Sequence, residues 1–167
     1  VELLSLQQDG RGAISAPTNW TGSRPLLEVE TPLDKIGADL AETCLIGNGN
    51  KVARWHFFIG SPGNGKSAAV GKLVRALLEK GCDIVDEHKT NIRNLGTTTV
   101  PYSLDVTEAG KKFVSVRIIQ DASVVRSPYA ASVDPSRDLL DTLRDAWESG
   151  RSLVVCTNRG VLEKAYR

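Results

Sequence analysis

The chain has 167 residues, with 21 basic and 20 acidic side chains, a formal net charge of +1 and 41% hydrophobic residues. This composition excludes a disordered or collagen-like chain, and a near-neutral charge is not by itself the footprint of a nucleic-acid-binding protein. The three cysteines form no Cys-x-x-Cys pair, and with only two histidines they offer no usual zinc pattern. Neither a membrane-length apolar run nor a signal peptide is present, so we expect a cytoplasmic protein without membrane contact.

Residues 1–32 mix glycine, proline, serine and threonine with short apolar runs, which predicts an irregular N-terminal lead-in. A helix is predicted to follow from about Pro32 to Ile46, since apolar residues recur near helical spacing and a glycine- and asparagine-rich cluster comes next. These apolar positions are Leu33, Ile36, Leu40, Cys44 and Leu45. The chain thus divides into the lead-in, residues 1–32, and a core, residues 33–167.

Two predicted elements flank a glycine-rich stretch near the start of the core. The run from Val52 to Ile59 is rich in aromatic and β-branched residues and stops at a glycine, which is typical of a buried strand. Beyond the glycine-rich stretch, apolar residues at i, i+3 and i+4 spacing predict a helix that ends at Gly81. The predicted buried face of this helix comprises Ala69, Val70, Leu73, Val74, Leu77 and Leu78.

The rest of the core is predicted to combine strands with one long helix. A short strand is expected at residues 83–85, and strands at 100–106 and 113–119 are joined by a turn at residues 108–110. Asp134 and Pro135 predict the start of a helix that runs to Ser149, and an apolar strand follows at residues 153–156. The predicted buried face of that helix is Leu139, Leu140, Leu143, Ala146 and Trp147. Strands separated by helices predict a parallel α/β sheet.

The glycine-rich stretch matches the phosphate-binding pattern G-x-x-x-x-G-K-[ST] at every fixed position. Glycines let the backbone bend so that several N–H groups converge, and the amino end of the following helix favours an anion. The lysine adds positive charge for the outer phosphates, and the hydroxyl after it is a ligand for Mg²⁺. ATP and Mg²⁺ are therefore the expected ligands. The predicted nucleotide-binding residues are Gly60, Ser61, Pro62, Gly63, Asn64, Gly65, Lys66, Ser67 and Ala68.

Two later apolar runs extend this pattern. Residues 113–121 end in Asp121, and residues 152–157 are followed by Asn158. Together with the loop, the order of Walker A, Walker B, helix, strand and polar sensor resembles that of the P-loop NTPases of AAA+ and related additional-strand type. The resemblance covers about residues 33–167. It implies an α/β, three-layer P-loop NTPase fold with a mainly parallel sheet and helices on both faces.

The resemblance also implies roles for the polar residues at the strand ends. Asp121, on a strand beside that of the loop, is expected to hold Mg²⁺ through water, opposite Ser67. Lys66 is expected to bind the outer phosphates, and Asn158, one strand further along, to bind the attacking water or the γ-phosphate. The alternatives are a surface-facing strand-end acid for Asp121 and a turn residue for Asn158.

Two features depart from this family pattern, and an acidic pair elsewhere bears on the first of them. The glutamate that usually follows the Walker B aspartate is replaced by Ala122, which cannot orient water. Asp86 and Glu87, after the short strand, are either a substitute acidic pair or a solvated strand end. The chain contains no methionine and stops at Arg167 without an arginine finger or helical lid, so we expect a core truncated at its C-terminal side.

Three functions are consistent with these patterns. The first is the ATP-binding and ATP-hydrolysing core of a larger remodelling or motor ATPase, which works as a homo-oligomer or in a larger assembly on a protein or nucleic-acid substrate. The second is an ATP-gated switch or scaffold with little hydrolysis, which the alanine at position 122 favours. The third is a P-loop kinase that transfers phosphate to a hydroxyl, although the order of elements counts against it.

Overall fold

The computed structural model describes residues 32–45, 53–61, 63–94, 101–123 and 134–167. The predicted lead-in, residues 1–32, lies outside these ranges except for Pro32. The described residues form four α-helices, five strands and a short 3₁₀ turn at Ile92–Asn94. In chain order the main elements are α1 Pro32–Cys44, β1 Trp55–Ile59, α2 Lys66–Glu79, β2 Asp83–Asp86, β3 Ser103–Thr107, β4 Val116–Ile119, α3 Pro135–Ser149, β5 Ser152–Thr157 and α4 Arg159–Tyr166.

The five strands form one mixed sheet in the order β1-β5-β4-β3-β2. Strands β1, β5 and β4 are parallel neighbours, whereas β3 runs antiparallel to both β4 and β2. Half of the neighbouring strand pairs are therefore antiparallel. The predicted three-layer P-loop NTPase fold with a mainly parallel sheet is accordingly wrong for the part of the chain that the structure describes.

A short connection explains why β3 is reversed. Only residues 108–115 separate β3 from β4, and the turn is closed by a hydrogen bond from the Lys111 N–H to the Glu108 carbonyl, 3.0 Å long, with Gly110 at a φ of 79°. A parallel pairing needs a crossover of a dozen or more residues, so this turn can join only antiparallel strands. The predicted turn at residues 108–110 therefore already implied an antiparallel strand pair, which is inconsistent with a mainly parallel sheet.

Buried apolar residues form two clusters, and successive residues of β5 contribute to different clusters because strand side chains alternate between faces. The first cluster packs β2, β3, β4 and β5 against α1 and α2, and it includes Val70, Leu73, Val74, Leu77, Ile84, Leu104, Val106, Ile118, Val154 and Cys156. The second cluster packs the opposite face against α3 and α4, and it includes Ile119, Ala122, Leu139, Ala146, Leu153 and Val155. The predicted core positions of α2 are buried, apart from the partly buried Leu78.

Helix α1 packs closely on α2 through small residues. Gly37, Ala41 and Cys44 are buried, at the i, i+4 and i+7 spacing of one helical face. A Cβ on Gly37 would lie 2.7 Å from the Lys72 Cβ, so only glycine permits this approach without a shift. Ile36, predicted to belong to the buried face, is instead 40% exposed.

The outer face of α3 is less buried than its sequence predicts. Leu139 and Ala146 are buried, but Leu140 is 40% and Trp147 77% exposed. Trp147 makes an edge-to-face contact with Trp55 of β1, with ring centroids 6.2 Å apart. None of the helices in the described ranges has the length and apolar character needed to cross a bilayer.

Candidate functional site

The glycine-rich loop connects the end of β1 to the start of α2. The Gly60 N–H donates to the Thr157 carbonyl at 3.2 Å, which fixes the first residue of the loop to the end of β5. Gly63 and Gly65 have φ values of 83° and 78°, in the left-handed region that favours glycine, and Gly65 caps α2. This backbone geometry turns the chain sharply into the amino end of a 14-residue helix, the end that attracts anions.

The described loop residues remain accessible from solvent. Ser61, Gly63, Asn64 and Ala68 are exposed, and Gly60, Gly65, Lys66 and Ser67 are partly buried, whereas Pro62 lies outside the described residues. A Cβ at Gly60 would lie 3.3 Å from the Asn64 Nδ2, which is tighter than ordinary contact. The loop is therefore narrow at its base and open at its surface, as an anion that enters from solvent requires.

Lys66 curls back along the loop. Its Nζ donates to the Gly60 carbonyl at 2.7 Å and to the Ser61 carbonyl at 2.9 Å. These two hydrogen bonds hold the ammonium group beside the first residues of the loop, at the amino end of α2. Positive charge and helix dipole thus act on the same space, which favours a polyanion there.

The ends of three parallel strands lie side by side, with β5 between β1 and β4. Cys156 of β5 is in register with Phe58 of β1, and its carbonyl accepts the Ala122 N–H at 2.8 Å. Because neighbouring strands are about 4.8 Å apart, the ends of β1 and β4 are roughly 10 Å apart. The strand of Asp121 was expected beside that of the loop, with the strand of Asn158 further along; the structure has the opposite order.

Cys156 lies between Lys66 and Asp121 and responds to both charges. Its Sγ donates to the Lys66 carbonyl at 3.8 Å. Burial raises the pKa of the Cys156 thiol to about 12, while the positive charge of Lys66 lowers this pKa and the negative charge of Asp121 raises it. The charges of the loop lysine and of the carboxylate at the end of β4 thus both act on this buried thiol.

Asp121 has one carboxylate oxygen fixed by its own turn. The Oδ1 atom accepts the Ser123 N–H at 2.9 Å and the Ser123 hydroxyl at 2.5 Å. The preceding residue is also fixed, because the Gln120 N–H donates to the Tyr102 carbonyl at 3.0 Å and the Gln120 Nε2 to the Pro101 carbonyl at 2.8 Å. Sequence reasoning singled out Asp121 but missed Ser123, whose proximity in sequence was the available signal.

The donor chemistry at the loop fits Mg²⁺. Ser67, the second residue of α2, and Asp121, just after the end of β4, are both partly buried residues with side-chain oxygens. Mg²⁺ prefers such oxygen ligands and is commonly held by one carboxylate together with substrate phosphates and water. Within the described ranges no group of three or more His, Cys, Asp or Glu side chains could hold a metal on its own.

Asn158 begins α4. Its Oδ1 accepts the Val161 N–H at 2.9 Å, and its extended backbone has a φ of −99° and a ψ of 163°. This is an ordinary N-cap, so the structure supplies a structural reason for an asparagine at this position. Since Oδ1 is the capping atom, the other end of the amide is the donor Nδ2, and a donor is what a phosphate oxygen needs.

Ala122 belongs to the second cluster of the core. It is 1% exposed and packs with Leu139, Leu153 and Val155 between the sheet and α3. A longer side chain at position 122 would point into this apolar layer. Ala122 therefore serves to pack the core in this chain. It also has no side-chain group that could orient water.

Asp86 and Glu87 have structural partners. Asp86 is buried, and its Oδ1 accepts the N–H groups of His88 at 2.9 Å and Thr90 at 2.7 Å. The two oxygens of Glu87 accept the N–H groups of Tyr102 and Ser103, at 3.0 and 3.2 Å. Strand β2 is four strand spacings from β1, roughly 19 Å away. Asp86 thus stabilises the turn that follows β2, Glu87 stabilises the start of β3, and both lie far from the loop.

Comparison with known proteins adds no relative: no family model, no curated protein and no solved structure matches the chain.

Proposed function

We propose that the chain binds ATP with Mg²⁺ at residues 60–67 and hydrolyses it. The observation that carries this proposal is the strand–loop–helix geometry, in which two glycines at positive φ turn the backbone into the amino end of α2 beside the Lys66 ammonium. A phosphate-binding loop of this sequence requires these features. A glycine-rich turn that matched the pattern by chance would have no need of them. The family assignment suggested by the order of the sequence motifs is part of the same proposal.

The residues around the loop have separate tasks in this proposal. Backbone N–H groups of the loop and the first turn of α2 bind phosphate oxygens, and Lys66 adds its charge to the outer phosphates. Ser67 and Asp121 would hold Mg²⁺, which supplies neutralisation of the phosphate charge when bound. The Asn158 Nδ2, at the adjacent strand end, would donate to the γ-phosphate or to water. Positioning and electrostatics carry the catalysis.

The burial of Ala122 favours a second candidate, an ATP-gated switch or scaffold that turns over slowly. In the described residues of the β1, β4 and β5 ends, Asp121 is the one acidic side chain. A carboxylate committed to the metal cannot also polarise the attacking water well. Efficient hydrolysis would then need a group from elsewhere, such as an arginine and a carboxylate of a neighbouring subunit, and the proposal therefore includes oligomer assembly.

The location in the cell is a further part of the proposal. All three cysteines, Cys44, Cys82 and Cys156, are buried and unpaired. Thiols persist in this form in the reducing cytoplasm, which is also where ATP is abundant. We therefore place the proposed activity in the cytoplasm.

The first test is nucleotide binding by Lys66→Ala, measured by titration calorimetry with ATP and Mg²⁺. Removal of the ammonium group is expected to weaken binding by at least tenfold, because a charge-assisted hydrogen bond contributes about 1.5–3 kcal/mol. Lys112→Ala is the matched control, since Lys112 is an exposed lysine in the β3–β4 turn, which precedes β4 and lies at the opposite end of that strand from Asp121. Equal affinity of wild type and Lys66→Ala would contradict the site.

A second measurement separates the two candidates. Steady-state phosphate release by the wild type is followed over a range of protein concentrations. A specific rate that rises with concentration indicates an ATPase completed by neighbouring subunits. Tight binding without phosphate release at any concentration indicates the switch.

A further inference from the structure

We infer that Ser123 is a positioning residue for Asp121: it fixes one carboxylate oxygen so that the other faces the metal and phosphates. This inference rests on the proposed function. It concerns a residue outside the loop motif and outside the residues that would bind nucleotide, and it follows from the hydrogen bonds at the end of β4.

The two donors of Ser123 converge on the same atom. Its N–H and its hydroxyl both donate to the Asp121 Oδ1, at 2.9 and 2.5 Å. Two hydrogen bonds on one oxygen fix the rotation of the carboxylate about its Cβ–Cγ bond. Among the described residues no hydrogen bond engages the Asp121 Oδ2, and this is the oxygen that we assign to the metal or its water ligands.

The surrounding backbone makes this positioning effective. The N–H between the two residues, that of Ala122, donates to the Cys156 carbonyl, and the Ala122 side chain is held in the α3-side core. The backbone and the side chain of Ala122 therefore both hold the turn at residues 121–123 in place. This fixes the position of the Ser123 backbone, from which its hydroxyl extends. Groups that hold a metal ligand in this way typically affect metal affinity even though they do not touch the metal.

The hydrogen bonds from Ser123 to Asp121 matter because the described strand ends provide no second acidic side chain. Asp121 is the one carboxylate at the β1, β5 and β4 ends in the described part of the chain, so no other described carboxylate there can replace it if it rotates away. A family-type site would place a glutamate next to it, but here that position is committed to packing. The serine two residues later thus supports the one carboxylate on which metal binding depends.

The test compares Ser123→Ala with wild type and with Ser123→Thr, which keeps the hydroxyl. For each protein, binding of a fluorescent ATP analogue is titrated with Mg²⁺, and also measured in EDTA. Because Ser123→Ala keeps the backbone hydrogen bond and loses only the hydroxyl, we expect the Mg²⁺ concentration for half-maximal effect to rise about fivefold, from one hydrogen bond of about 1 kcal/mol. Binding in EDTA and the melting temperature should not change, and Ser123→Thr should resemble wild type.

The double variant Asp121→Asn/Ser123→Ala makes the test specific. If Ser123 acts through Asp121, removal of its hydroxyl should add no further Mg²⁺ shift once the carboxylate is gone. Wild-type Mg²⁺ dependence in Ser123→Ala, or an equal shift in both backgrounds, would overturn the inference while the nucleotide site stands. Absence of nucleotide binding in the wild type would overturn the proposed function and this inference together. If Ser123→Ala fails to fold, Ser123→Cys, which has a similar shape and a weaker donor, replaces it.

Discussion

Ala122→Glu is the substitution that best tests how the end of β4 is built. By family analogy, a glutamate at this position would orient water and raise turnover. The structure predicts the opposite, because Ala122 is 1% exposed and lies among Ile119, Leu139 and Leu153 beneath α3. The new carboxylate would enter an apolar layer instead of reaching the proposed phosphate site.

The expected cost has two parts. Extra volume in a packed core costs about 1–3 kcal/mol. If burial raises the pKa of the glutamate to about 8, from about 4.3 in the unfolded chain, its neutralisation at pH 7 costs about 4 kcal/mol. The sum of about 5–7 kcal/mol is comparable with the whole stability of an ordinary domain. Ala122→Glu should therefore be largely unfolded at neutral pH and should not gain turnover.

The dependence on pH identifies the charge as the cause. Below about pH 4.3 the glutamate is protonated in both states and contributes no charge penalty. As the pH rises from there to the folded-state pKa, the unfolded chain releases the proton first, and stability falls by about 1.4 kcal/mol per pH unit. Ala122→Gln, the matched control, should keep the volume penalty and lack this slope.

The assay is urea unfolding of wild type, Ala122→Glu and Ala122→Gln at several pH values from 4.5 to 8, followed by circular dichroism, together with phosphate release at pH 7. A variant with glutamate that is as stable as the glutamine control at pH 7 would refute the packing argument. Increased phosphate release in the same variant would show that position 122 faces the nucleotide.

Two further substitutions test the core. Gly37→Ala should lower the free energy of unfolding by about 1–2 kcal/mol, although alanine usually stabilises a helix, because its Cβ would lie 2.7 Å from the Lys72 Cβ; Gly160→Ala, whose Cβ meets no atom closer than 3.4 Å, is the control, and equal effects in urea unfolding would contradict the close helix contact. Asp105→Asn should cost roughly 3 kcal/mol at neutral pH, since Arg117 would lose its buried partner on the neighbouring strand. Burial alone would raise the pKa of Asp105, but hydrogen bonds from Arg117 and Lys89 outweigh it and hold this pKa below its usual value. The stabilisation is thus present above the unfolded pKa of about 3.9 and lost as the pH falls through the folded pKa, so the stability gap between wild type and variant should narrow in acid.

Local features of the structure follow directly from the sequence. Asp134 accepts the Ser136 N–H and Pro135 starts α3, as their order predicts, because capping involves only residues within one turn. The helix after the loop has its predicted face buried for the same reason: its spacing is a property of the helix alone. The loop motif likewise specifies its positive-φ glycines without any distant contact.

The neighbours of each element were decided only by tertiary structure. The strand order, with β5 between β1 and β4, depends on pairing between residues about 100 positions apart, and no local pattern encodes it. The exposure of Trp147 likewise depends on tertiary structure. A helix with apolar residues on a broad arc can bury only the part of that arc that contacts the sheet or another helix. Beyond the last paired residue of β4, side chains no longer alternate between the two faces of the sheet. Tertiary packing buries Ala122 in the core, while Asp121 accepts a hydrogen bond from the hydroxyl of Ser123. The sequence therefore specified the glycine-rich loop and its backbone turn, while the fold selected which side chains surround the loop, since their proximity comes from chain segments that meet only when the sheet assembles.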